Sequence, residues 1–167
     1  MFLKNALELL KESDIYREWS KEHRHCEVSY AFTTVTATEY ADWQIGYYNP
    51  NDESISTFIV TSGNITKEHS DQIFKDPDGK VHFLDFKKVN LSEERVFEIV
   101  DEELKKKYKH EQVTKTILLL QTIDEFGTIW NVTVISTLFN AINIKIDAHD
   151  GTIKHSAISN LLTYGKK

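Results

Sequence analysis

Cys26-Glu-Val-Ser-Tyr-Ala-Phe-Thr-Thr-Val-Thr-Ala-Thr-Glu-Tyr-Ala-Asp-Trp43 and Val113-Thr-Lys-Thr-Ile-Leu-Leu-Leu-Gln-Thr-Ile-Asp-Glu-Phe-Gly-Thr-Ile-Trp130 decide the fold when laid over one another. Both are rich in β-branched and aromatic residues, and each reaches a tryptophan after the same number of positions. The offset is 87 residues, Cys26 to Val113. Past the tryptophans, Trp43-Gln-Ile45-Gly-Tyr47 falls on Trp130-Asn-Val132-Thr-Val134, apolar at every second position, as a strand with one buried face requires. One added residue in the next loop then makes the offset 88. This sets Phe58 on Ile146, Val60 on Ala148, Gly63 on Gly151, Ile65 on Ile153, and Ile73-Phe74 on Leu161-Leu162. Internal repetition at a fixed period governs the whole reading of a chain, so the sequence is read as a tandem repeat.

Working outward, a helix is expected from about Leu3 to Trp19, with Leu3, Ala6, Leu7 and Leu10 inward. A second is expected after Ser92, which caps a start rich in acid; Val96, Phe97, Val100, Leu104 and Tyr108 recur at helical spacing. Strands follow at about 26–37, 42–49 and 54–61, then at 113–123, 128–136 and 141–148, with a shorter extended piece after each glycine. The turns between them, such as Asn49-Pro50-Asn51-Asp52 and Asp124-Glu125-Phe126-Gly127, are short and polar, which implies antiparallel meanders. The fold class is therefore α+β: two repeated units, each a helix packed on a three- to four-stranded antiparallel sheet. Their bounds are 1–74 and 91–167, with a structured linker at 75–90 in which Val81–Phe86 reads as a strand.

Composition agrees with a packed chain: 40% of the 167 residues are apolar, including nine Phe, seven Tyr and three Trp. The net charge of −6 and the near-neutral or acidic balance of both halves argue against nucleic acid as a partner. The only dense cationic run, Lys105-Lys106-Lys107 with Lys109, suits the negative end of a helix dipole. A single cysteine, Cys26, rules out an internal disulfide. No apolar run is long enough for a membrane span and no export signal opens the chain, so no membrane insertion and a cytoplasmic location are expected.

The second copy resembles the PepSY domain, the peptidase-propeptide and YpeB-type module. The likeness rests on Ser92-Glu93-Glu94-Arg95 at a helix start, a strand–Trp130–strand passage, and Ile146-Asp147-Ala148-His149-Asp150-Gly151-Thr152-Ile153. The first copy shares Trp43 and Gly63 with it but carries Ile59 in place of the Asp. The resemblance implies a non-enzymatic module that binds or inhibits a protein partner, typically a peptidase, and relatives that often work outside the cytoplasm. Trp43, Gly63, Trp130, Asp147 and Gly151 are then motif residues with structural roles. A hairpin must reverse at a glycine free to take positive φ, and an Asp before it bonds the turn backbone.

No phosphate-loop, dinucleotide, zinc-protease or C-x-x-C pattern occurs, so no cofactor, metal or catalytic residue is assigned. His23, His25 and Cys26 offer metal-binding atoms at a helix-to-strand junction without a second ligand pair, and a solvated turn explains them better. Asp147, His149, Asp150 and His155 lack a neighbouring nucleophile motif. Tyr40, Tyr47 and Tyr48 have the composition of a partner-binding patch. The expected function is a protein-binding or inhibitory module. The alternative is a small-molecule module with its pocket between helix and sheet, and a metal-dependent enzyme using the histidines ranks last.

Overall fold

A computed structural model describes residues 1–36, 39–70 and 80–163. The amphipathic start forms α1 (Leu3–Glu12) and α2 (Asp14–Glu22), two helices where the sequence suggests one. The break is at Ser13, which is extended at φ −73° and ψ 144°. Its hydroxyl donates to the Leu10 carbonyl (2.6 Å) and accepts from Tyr16 N–H (3.3 Å), closing one helix and capping the next. Helix α3 (Glu93–Lys107) begins as expected, with Ser92 Oγ accepting from Arg95 N–H.

Eight strands follow the pleat read from the sequence: β1 (Glu27–Thr36), β3 (Trp43–Asn49), β4 (Ser54–Val60), β5 (Ile65–Ser70), β6 (Val113–Ile123), β7 (Gly127–Ser136), β8 (Asn140–Asp147) and β9 (Ile153–Asn160). A two-residue β2 (Glu39–Tyr40) folds back on β1. The strands do not make two separate sheets. They form one antiparallel nine-stranded sheet in the order β5-β4-β3-β1-β6-β7-β8-β9, with β2 beside β1. This corrects the expectation of two repeated units each with a three- to four-stranded sheet of its own. Strands β1 and β6, which would be exposed edges in isolated halves, pair with one another. In that pairing Phe32 stands opposite Leu119, its counterpart 87 positions on, where a two-fold axis relating the halves would pass.

Registers also correct the alignment after the tryptophans. Trp43 pairs with Val60 and Trp130 with Ile146, so the ladder equates Val60 with Ile146 and Phe58 with Ile144, at an offset of 86. The β7–β8 connection is one residue shorter than the β3–β4 one, and the longer loop after β8 restores 88 at Ile65 and Ile153. A slide of two residues keeps every side chain on its face, so the apolar pattern cannot detect it. Residues 73 and 74, set against Leu161 and Leu162 in the sequence comparison, lie outside the described residues, as do linker positions 75–79.

Val81–Phe86 is not a strand. Strand β1 already has β3 and β6 on its two sides, and the carbonyl of Val28, at a bulge before Tyr30 and ahead of the β6 ladder, accepts from Leu84 N–H (2.7 Å). A short 3-10 turn at Phe86–Lys88 leads toward α3.

The core lies between the helices and one face of the sheet. Ala31, Trp43, Ile45, Phe58 and Val60 join Leu118, Leu120, Trp130, Val132, Ile142 and Ile144, all at 1% exposure or less, against Leu3, Ala6, Leu10, Val96 and Val100. The two halves are also joined at their helix starts. Leu3 N–H, at the opening of α1, donates to the buried carboxylate of Glu93 at the opening of α3, which places an acceptor where the helix leaves its donors unpaired.

Candidate functional site

With all three helices on one face, only the segment Lys80–Phe83 lies over the other face among the described residues. Alternation leaves that face a half-buried set: Tyr30 and Phe32 on β1, Gln44 on β3, Ile55 on β4, Leu119 and Gln121 on β6. They line a groove of ≈ 530 Å³ centred on the β1–β6 junction and closed at one end by Val81 and His82. The Phe32–Leu119 pair at the junction is therefore part of its floor.

The groove has one unusual wall. Tyr30 lies flat across Gly46, so that a Cβ on that glycine would sit 2.1 Å from the ring, and its hydroxyl reaches Thr57 Oγ1 at 2.9 Å. Gly46 thus lets an aromatic side chain span three strands, a use of glycine that depends on close approach and not on backbone freedom. At the closed end His82 Nε2 is 2.7 Å from the Asp124 carboxylate. The Ser29 hydroxyl is committed to the Gly46 carbonyl at 3.2 Å. What the groove offers is apolar contact flanked by two side-chain amides.

The tyrosines singled out from sequence do not form a joint exposed patch. Tyr47 is 4% exposed in an aromatic cluster with Tyr16, Trp19 and Phe58 beneath α2. Tyr48, the next residue on the strand, points to the other face and is covered by Phe83. Tyr40 is wedged between Phe2 and Phe97. Burial and the Glu93 and Glu94 carboxylates push the Tyr40 phenol up to about 12.

Trp43 and Trp130 are buried core anchors in matching places, but their indoles differ. Trp43 Nε1 donates to the Met1 carbonyl at 2.8 Å, whereas buried Trp130 Nε1 has no hydrogen-bond partner among the described residues. Gly151 takes φ +80° with Ile99 close by, and Asp147 Oδ1 accepts from His149 N–H (2.9 Å) and Asp150 N–H (3.3 Å). Gly63 departs from the expected turn role: its φ is not positive and a Cβ there would meet nothing within 4 Å. Thr61 Oγ1 organises that turn instead, accepting from Gly63 and Asn64. Bonding of Thr152 N–H to Asp150 holds that carboxyl below the usual carboxylate range.

His23 stacks on Trp19 at 4.7 Å, its Nδ1 2.7 Å from the Trp19 carbonyl, while burial and then the Asp52 charge push the Cys26 thiol up. Among the described residues no group of three or more His, Cys, Asp or Glu side chains is placed to hold a metal ion. No described helix is long and apolar enough to cross a membrane.

Sequence reasoning passed over the groove residues Phe32, Leu119 and Tyr30. The available signal was Gly46 inside an otherwise apolar strand, which marks close approach of another group.

No protein-family model matches the chain, and no curated protein matches it significantly. The solved structure of a candidate lipoprotein from Clostridium difficile 630 superposes with a TM-score of 0.56 at 12% identity, covering 90% of this chain and 98% of that one. At that identity the likeness extends to the fold alone.

Proposed function

We propose that the chain is a non-enzymatic protein-binding module built by duplication of a PepSY-like unit, with its partner seated on the uncovered sheet face. The observation that carries this reading is the groove at the β1–β6 junction. Its floor, Phe32 and Leu119, is apolar and half-buried without a helix to cover it, and Gln44 and Gln121 beside it can bond a backbone. Apolar contact with flanking amides suits an extended segment of another protein. An inhibitory role toward a peptidase is what the PepSY resemblance adds. Ser29 is bonded to the Gly46 carbonyl and His82 faces the exposed Asp124 carboxylate at the groove's end, and no chemistry is assigned to them.

The test replaces Leu119 by Lys and Phe32 by Ser, separately, and compares capture of host proteins with the parent chain while thermal unfolding monitors the fold. A partner retained by the parent and lost by both folded variants supports the reading; a partner retained equally by all three opposes it. One observation favours a second reading, a small-molecule module: an open cleft of ≈ 490 Å³ lies between α1 and the segment 86–93, where Leu3, Leu7, Phe86, Leu91 and Trp130 meet the charged side chains of Lys4, Glu8 and Lys11. Native mass spectrometry separates the two, since a retained small molecule with no captured protein would favour the cleft.

A further inference from the structure

The sheet ends on two strands that the repeat makes equivalent, and they differ in what they show to a neighbour. Among the described residues β5 pairs only with β4, and β9 only with β8. With Ser56 equated to Ile142 and Phe58 to Ile144, the ladders set Lys67, Glu68 and His69 in the places of Ser156, Ala157 and Ile158. Charged side chains on an outer strand discourage a further strand from adding to it. Lys67 and Glu68 do so on β5. On the other edge no charged residue, proline or glycine occurs from Ser156 to Thr163, and Ile158 is 45% exposed. The free run begins after Lys154, which a bulge sets out of the ladder and which pairs with Asp147 at 3.3 Å.

The hydrogen-bond phase tells which groups of β9 face outward. Opposed residues in an antiparallel pair alternate between bonded and non-bonded. Leu161 N–H donates to the Phe139 carbonyl at 2.8 Å in line with the β8–β9 ladder, so Ser159, Ala157 and His155 also bond β8. The β7–β8 ladder agrees. Ala148 N–H donates to the Thr128 carbonyl at 3.0 Å, which gives Ile142, Ile144 and Ile146 to β7 and leaves Ala141, Asn143 and Lys145 for β9. Ser156, Ile158 and Asn160 therefore turn their N–H and C=O groups away from the sheet. The Asn160 carbonyl takes the Thr163 hydroxyl at 2.8 Å and keeps a second lone pair. On its core side the strand is tied to the end of α3, where the Tyr108 hydroxyl lies 2.9 Å from Ser156 Oγ.

We infer that β9 pairs antiparallel with β9 of a second copy, with Ile158 on the two-fold axis. Unpaired backbone donors and acceptors along a strand specify an extended strand as their occupant. This register sets Ile158 against its own copy, where each N–H meets the other's carbonyl, and sets Ser156 against Asn160, both outward-facing. Ala157 then faces Ser159 and His155 faces Leu161, so no two like charges are opposed. Two-fold pairing closes, because the remaining edge of each copy is the charged β5. A β9–β5 contact would instead repeat without end and bring Ala157 and Ile158 against Lys67 and Glu68. The chain already uses this joint within itself, since β1 and β6 meet antiparallel about the Phe32–Leu119 pair. The β9 edge is separated from the β1–β6 junction by β7 and β8, so pairing and occupation of the groove are separate events.

Sedimentation velocity of the full chain across a dilution series tests it, and a reversible monomer–dimer equilibrium is expected. Ile158→Lys and Ile158→Glu should each weaken the dimer at least about tenfold, by like charges opposed on the axis. An equal mixture of the two should recover it as a heterodimer. Lys67→Glu, on the other edge, should leave association unchanged. Hydrogen exchange of the unsubstituted chain gives a second reading. The amides of Ser156, Ile158 and Asn160 should gain protection as concentration rises, while those of Ala157 and Ser159 are protected in monomer and dimer alike. A chain still monomeric at about 1 mM, association that survives Ile158→Lys, or folded variants whose mixture stays monomeric would overturn the inference. So would a host-protein strand on the β9 edge of a chain that never self-associates. None of these substitutions touches the groove, so failure here and failure of the groove reading are told apart.

Discussion

Replacing Gly46 by alanine tests the arrangement of the groove wall through a change of sign. Considered alone, Gly→Ala in a strand with ordinary backbone angles should stabilise by roughly 0.5–1 kcal/mol, because alanine leaves the unfolded chain fewer conformations. Here the new methyl would lie 2.1 Å from Tyr30 Cε1 and 2.6 Å from Cδ1 and Cζ. The ring must lift by more than about 1 Å to reach normal carbon contact near 3.5 Å. Lifting it separates the Tyr30 hydroxyl from Thr57 Oγ1, now at 2.9 Å, a bond worth about 1 kcal/mol. Overpacking adds about 1–3 kcal/mol. Gly46→Ala is thus expected to destabilise by about 1–3.5 kcal/mol in the parent chain. In a Tyr30→Ala background the obstacle is gone, and the same substitution should stabilise by about 0.5 kcal/mol. Urea unfolding of the four proteins gives the coupling directly, and at least about 1.5 kcal/mol is expected. Additivity within about 0.5 kcal/mol, or a stabilising Gly46→Ala in the parent, would refute the account of Tyr30 lying on the glycine.

Three further outcomes are expected. Trp43→Phe should cost about 1 kcal/mol more than Trp130→Phe in urea unfolding, because Trp43 gives up an indole hydrogen bond to the Met1 carbonyl while Trp130 Nε1 has no partner among the described residues; equal costs would count against that bond. The alkaline limb of stability should fall between about pH 10 and 12: Tyr40 is raised to about 12 and burial also raises Tyr47. The unfolded chain, with tyrosines near 10, then releases these protons first, and stability present below pH 10 is lost as pH climbs through the folded values. Absorbance at 295 nm should show a share of the tyrosines ionising only as the chain unfolds, and titration of all of them near pH 10 would contradict the burial. Cys26, raised by burial and by Asp52, should react with a disulfide reagent at pH 8 more slowly in the folded chain than in urea.

Why the strands were legible and their assembly was not follows from what a pleat records. The alternation in Val113–Ile123 or Ser54–Val60 tells which side chains meet the core, and those strands form close to where the spacing places them. It carries no information on which edges meet, so nothing in Tyr30–Val35 announces that its partner is Thr116–Gln121 and that the halves share one sheet. It is equally blind to a slide of two, which moved the counterpart of Phe58 from Ile146 to Ile144. Helix propensity likewise gives no warning at Ser13, where a single hydroxyl ends one helix and caps another.

Residue type alone misdirected the search for a surface. Tyr47 and Tyr48 are neighbours in sequence and lie on opposite faces, and each is buried by a segment far off in the chain: α2 for one, Phe83 for the other. A better guide is comparison of the two halves at positions the backbone makes equivalent. Where both halves carry an apolar residue, as at Trp43 and Trp130 or Ile65 and Ile153, packing explains the pair. Where the backbone imposes the same unusual conformation but the side chains differ in kind, as at Glu53 and Phe139, folding explains the conformation and leaves the chemistry unaccounted for.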